Sequence, residues 1–119
     1  MASEFVRHIL DLGRTYGPLT SKSMFGGHGI YAGEQILGLV VDDRLYLKVD
    51  DGNRAEFEAV GSQPFTYMHK AKNEPVKMSY WEAPAAAIDD GDELARWLGS
   101  AAGAAARAKT KKKAPARKR

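Results

Sequence analysis

Arg107, Lys109, Lys111, Lys112, Lys113, Arg117, Lys118 and Arg119 place eight of the eighteen basic side chains in residues 104–119, with no acidic residue among them. Side chains of this type at this density neutralise phosphates and release condensed counterions, a contact that is strong at low salt and blind to base sequence. Residues 1–103 hold the other ten basic residues and all fifteen acidic ones, a net charge of −5 against +8 for the segment that follows. A block of like charge repels itself and buries nothing apolar. Residues 104–119 therefore read as a disordered arm that seeks nucleic acid, with a solubility tail as the plainer alternative.

Other constellations have the letters of a chemistry without its context. Gly27-His-Gly29-Ile-Tyr-Ala32 matches a dinucleotide fingerprint, but that motif needs a helix N-terminus directly after the turn to receive the pyrophosphate, and here a further turn and strand follow. Asp50-Asp51-Gly52-Asn53 opens like a calcium loop, yet Gly61 stands where the twelfth-position glutamate belongs. His8, His28 and His69 share no spacing that brings two imidazoles to one ion. The pairs Asp42/Asp43, Asp50/Asp51 and Asp89/Asp90 fall at turns and helix starts, where aspartate is favoured for capping. Neither a nucleophile elbow nor a P-loop is present, so the expectation is no catalytic residue, no metal and no cofactor.

A set of aromatic residues near lysines remains: Tyr31, Tyr46 beside Lys48, Tyr67 near Lys70, and Tyr80-Trp81 close to Lys77. On an exposed sheet face they can stack on bases or anchor a protein partner. As cross-strand pairs they would simply pack the sheet.

Something must hold these residues in place. About a hundred residues suffice for one domain with a modest core, and 44% hydrophobic content is ordinary for a globular chain. There is no cysteine, hence no disulfide framework or thiolate metal site. The N-terminus mixes charges into its apolar residues and lacks a signal-peptide core, and no run is long enough to span a bilayer; a cytoplasmic protein, possible at the nucleoid, is expected.

Ser3 is placed to cap a helix with Phe5, Ile9 and Leu12 on one stripe. Three strands are expected between Ser21 and Val49: a bent, glycine-rich one over 23–31, a covered one over 36–41, and one over 44–49 with Leu45, Leu47 and Val49 on one face. Gly33-Glu34 and Asp42-Asp43 are the hairpin turns between them. Asn53-Arg-Ala-Glu56 fits a capping box for a short helix that turns Phe57 and Val60 to the core. A hairpin over 64–69 and 76–82 follows, turning near 72–75. Pro84 and Asp90-Gly-Asp-Glu93 open a last helix with Leu94, Trp97, Leu98, Ala101 and Ala105 along one side. The order helix, three strands, helix, two strands, helix makes a two-layer α+β domain over 1–103.

Three strings carry a resemblance: Ser23-Met-Phe-Gly-Gly-His-Gly-Ile-Tyr31, Leu37-Gly-Leu-Val-Val-Asp-Asp-Arg-Leu-Tyr-Leu-Lys48 running on through Val49-Asp-Asp-Gly-Asn-Arg54, and Met78-Ser-Tyr-Trp-Glu82. With Pro64-Phe65 and Asp92-Glu-Leu94 in the expected order, residues 5–102 resemble the N-terminal domain of the TfoX/Sxy family. The resemblance implies the same α+β element order and a regulator of natural competence, acting with the cyclic-AMP receptor protein at promoters of DNA-uptake genes. Longer family members add a helix-hairpin-helix type domain where this chain has an alanine-rich linker and basic arm. No catalytic residues carry over. Met24, Phe25, Gly26, Tyr46, Lys48, Tyr80 and Trp81 are the motif positions expected to define the fold or contact a partner.

Fold does not fix function, so two readings stand. One is a non-enzymatic regulator whose acidic domain meets the cyclic-AMP receptor protein or RNA polymerase while the arm adds non-specific DNA affinity. The other is a general nucleoid-associated or RNA-binding protein whose arm supplies the binding.

Overall fold

The computed structural model describes residues 4–24, 27–69 and 74–113, with side chains described for 4–23, 27–66 and 79–108. Helix α1 (Glu4–Leu12) runs into a short 3-10 turn and then strands β1 (Thr20–Met24), β2 (Gly27–Ala32), β3 (Gln35–Val41) and β4 (Arg44–Lys48). Helix α2 (Arg54–Ala59), strands β5 (Pro64–His69) and β6 (Glu74–Glu82), and helices α3 (Ala85–Asp89) and α4 (Gly91–Lys113) complete the order. The six strands form one sheet in the order β1-β2-β3-β4-β6-β5, every pairing antiparallel. This is the α+β class expected from the sequence.

The core lies between one face of the sheet and the helices. Ile30, Leu37, Val40, Leu45, Leu47 and Val49 meet Val6 and Ile9 of α1, Phe57 of α2, Ala87 of α3, and Leu94, Trp97, Leu98, Ala101 and Ala105 of α4. The period-2 pattern of β4 and the helical stripe of α4 place these side chains, and each fully buried Leu or Ile stabilises by about 1.5–3 kcal/mol. The Phe57 and Trp97 rings meet edge-on with centroids 4.8 Å apart. A bulge between Ile30 and Tyr31 leaves Leu37 as the extra residue of β3, and its side chain is fully buried in this core. All four helices bury their apolar residues in this one cluster.

The Asp42-Asp43 turn is a two-residue hairpin with both residues at positive φ, 53° and 58°. Asp90 caps α4, accepting the backbone N–H groups of Asp92 at 2.9 Å and Glu93 at 3.5 Å. The stretch 23–31 is not one bent strand. Met24 pairs with Gly27, so β1 and β2 are two strands and the sheet has six. Gly27 lies against the backbone of β3, where an added Cβ would collide with the Val40 carbonyl oxygen, so its glycine serves close strand packing.

Three further expectations need correction. The stripe of α1 centres on Val6 and Ile9, with Phe5 and Leu12 only partly buried. Val60 is 51% exposed, because α2 stops at Ala59 before its last turn can bring that side chain inward. The boundary at 103/104 cuts through α4, which carries on to Lys113 and buries Ala104 and Ala105. Alanine has the highest helix propensity of all residues, so this segment extends the helix where a linker had been expected. The Ser3 cap, residues 72 and 73 of the expected turn, and residues 114–119 lie outside the described residues, while Glu74 and Pro75 already belong to β6.

Candidate functional site

Opposite the helices, the sheet presents a row that can be read across five strands: Lys22 faces Gly29, Gly29 faces Leu39, Leu39 faces Tyr46, and Tyr46 faces Glu82. Beside it, Lys48 pairs with Tyr80. The Lys48 ammonium stands 5.2 Å from the Tyr80 ring centre, and the Lys22 ammonium 5.0 Å from that of Tyr31. At the far side the Tyr46 and Phe65 rings lean together, 4.9 Å between centroids and 58° between planes. Arg44 reaches Glu82 at 3.6 Å. Burial pushes the Tyr80 hydroxyl up in pKa, helped by Tyr31. Tyr46 is raised as well, by burial first and then by the Glu82 carboxylate.

A second arrangement ties the end of α4 to the loop after β4. Arg107 donates from Nε to Asp50 Oδ2 at 2.6 Å and from Nη2 to Asp50 Oδ1 at 2.8 Å, the two-point geometry that gives guanidinium–carboxylate pairs their strength. The guanidinium holds the Asp50 carboxyl down at about 2, and the carboxylate raises the Arg107 pKa in turn. Gly52 lies under the guanidinium, where a Cβ would come within 2.8 Å of it. Asn53, 2% exposed, is the pivot of the same loop. Its Oδ1 accepts the Asp50 N–H at 2.7 Å, and its Nδ2 donates to the carbonyls of Lys48 and Ser100 and to Ser100 Oγ. The expected capping box is absent, since no side-chain cap bond forms at Asn53. A buried amide satisfied over three elements outweighs a local cap worth about 1 kcal/mol.

The residues singled out from the sequence are divided by this arrangement. Tyr46, Lys48 and Tyr80 share the open face, while Trp81 points to the opposite side and is packed, half-buried, against the core. There it lines a groove of about 690 Å3 together with Val49, Pro64, Arg54 and Glu58. Met24 closes β1, and Phe25 and Gly26 lie outside the described residues. Arg107 is not a free basic side chain, because Asp50 holds it. Lys109, Lys111, Lys112 and Lys113 fall on the last turns of α4, and Arg117, Lys118 and Arg119 lie outside the described residues. The bonds from Asn53 to Ser100 and the Arg107–Asp50 pairing are not legible in the sequence, the partners being far apart along the chain. Lys22 went unread because nothing local to it shows that Tyr31 lies on the neighbouring strand.

Among the described residues, no three His, Cys, Asp or Glu side chains gather as metal ligands, and no helix is long and apolar enough to cross a membrane. The chain is similar to the DNA transformation protein TfoX1 of Aliivibrio fischeri (strain ATCC 700601 / ES114), with 31% identity over 70 residues, 59% of this chain and 32% of that protein. It thus spans about a third of the length of that curated relative. The model of the TfoX N-terminal domain matches residues 11–105, a span that takes in every strand of the sheet and runs down α4 to the buried Ala105. With every strand of the sheet, most of the core and the sequence strings falling inside that match, the chain belongs to the TfoX N-terminal domain family.

Proposed function

We propose that this chain is a competence regulator that works through protein contacts, with its basic C-terminal segment holding it on DNA. The observation that carries the reading is the separation of charge, −5 over residues 1–103 and +8 over 104–119, within a chain of the TfoX family. The name of the Aliivibrio fischeri relative supports DNA transformation as the process. The net −5 of residues 1–103 leaves the non-specific attraction to duplex DNA to the basic segment and the folded part free to meet a protein, for which the cyclic-AMP receptor protein or RNA polymerase are the candidates. The basic segment makes the weak DNA contact that turns the protein contact into an intramolecular one, so neither has to be strong alone.

The test removes residues 109–119, a cut that spares Arg107 and the buried alanines. Removal takes away seven cations, Lys109, Lys111, Lys112, Lys113, Arg117, Lys118 and Arg119. Duplex binding should then lose a slope of at most about 6 in log K against log salt, at about 0.9 per phosphate contact. Recovery of the receptor protein or polymerase from nuclease-treated lysate supports the regulator. Recovery that disappears with the nucleic acid assigns the chain to the general nucleoid-associated or RNA-binding class.

A further inference from the structure

The open sheet face differs from the rest of the folded part in charge and in ring content. Residues 1–103 carry a net −5, yet the described side chains of this face include three cations, Lys22, Arg44 and Lys48, against two carboxylates that act on Tyr46: Glu82, which Arg44 already approaches, and Asp42 at the adjoining turn. The two lysines are held in an unusual way. A salt bridge would orient an ammonium and cancel its charge, whereas a tyrosine ring orients it and leaves the charge to act. Neither Lys22 nor Lys48 has a carboxylate partner among the described residues; each stands over a ring. Between the cations, Gly29 and Leu39 form a low floor bounded by Tyr31 on one side and by the Tyr46–Phe65 pair on the other. Tyr80, 9% exposed, supports Lys48 from beneath.

We propose that this face binds single-stranded nucleic acid, with Tyr31, Tyr46 and Phe65 as the surfaces on which bases stack and Lys22, Arg44 and Lys48 as the phosphate contacts. Aromatic residues interleaved with cations on a sheet face suit unpaired bases, whose π-faces are open and which stack without regard to sequence. A duplex hides those faces in its own stack, and the face of a six-stranded sheet is too broad to enter a groove that admits a helix or a two-stranded ribbon. The inference goes beyond the proposed regulator. It puts a nucleic-acid site in the folded domain and makes it selective for unpaired strands, whereas the basic segment attracts any polyanion.

The experiment uses the full chain and follows its binding to a labelled oligothymidylate and to a duplex of the same length. Tyr46→Ser should weaken oligothymidylate binding by about tenfold to a hundredfold, the loss of a stacked base, with duplex affinity unchanged. Tyr46→Phe should restore it. Lys22→Gln together with Lys48→Gln should lower the salt slope for the single strand by about 1.4, at about 0.7 per contact. The lysine pair tests the site even if Tyr46→Ser destabilises the fold, which a melting transition will reveal. Equal losses on both nucleic acids, or no loss on either, would overturn the proposal. So would unchanged strand binding with a shift in elution volume, which gives the face to a second copy of the chain. Removing residues 109–119 should weaken both nucleic acids together, so the two readings fail separately.

Discussion

Asp50 grips Arg107 across fifty-seven residues of sequence, through two hydrogen bonds of 2.6 and 2.8 Å. The loop that leaves the sheet is thereby fastened to the C-terminal half of the longest helix, and one of the eight basic side chains expected to seek DNA is paired within the protein.

The clamp should open with acid. The Asp50 pKa is lowered from 3.8 to about 2, so its contribution to the folded state is complete above the unfolded value, declines below it, and is lost as the pH falls through about 2. Amide exchange at Gly52 and over 104–108 should accelerate across that window, ahead of global unfolding. Asp50→Asn should produce the same acceleration at neutral pH, and protection that persists in the variant would show that the helix end is held by other contacts. Arg107→Lys should not rescue it, since an ammonium cannot reproduce the two-point contact.

Asn53→Ala is expected to cost about 2–4 kcal/mol in urea unfolding, because it leaves the Asp50 N–H and the Lys48 and Ser100 groups without their partner. A simple N-cap would cost about 1 kcal/mol. A value at that lower level would return Asn53 to a local role.

The two tryptophans should separate in rank. Trp97, 3% exposed and edge-on to Phe57, should cost about 3–5 kcal/mol on change to Ala. Trp81 is half-buried at the rim of a groove, and its change to Ala should cost about 1–2 kcal/mol, in proportion to the smaller area it removes from water. Equal losses in thermal or urea unfolding would place Trp81 in the core after all.

Asp43→Gly should stabilise the fold by about 0.5–1 kcal/mol. Asp43 sits at φ 58°, in the left-handed region that costs a side-chain-bearing residue about 1–2 kcal/mol, part of which glycine returns through its greater entropy when unfolded. A melting temperature that falls in the variant would mean that the Asp43 side chain makes a contact worth more than the relief of strain.

What could be read in the sequence was what neighbours decide. The alternation of Leu45, Leu47 and Val49, the Asp42-Asp43 turn and the Leu94–Ala105 stripe each state a period or a turn type within a few residues, and each is where the pattern put it. Periodicity also set Tyr46 and Lys48 on one face. It could not say that Tyr80 would lie beneath Lys48, because that depends on β6 pairing with β4 across an intervening helix and strand. Asn53 departs from its expected role for a related reason: its letters suit a cap, but Ser100, forty-seven residues away, takes its side chain instead. Arg107 stands in a run of like charges that hides it among its neighbours. Its place after a buried alanine stripe on a helix was the signal that it belongs to the fold.

Helix α4 runs six residues past its anchor at Arg107 to Lys113, a rise of about 9 Å at about 1.5 Å per residue. The chain thus leaves the domain along a fixed axis and at a fixed phase. One alanine inserted after Ala108 would turn everything beyond it by about 100° and push it outward by about 1.5 Å, while seven would nearly restore the bearing at a longer reach. The basic segment is in that sense mounted on a spindle, and its aim can be dialled one residue at a time.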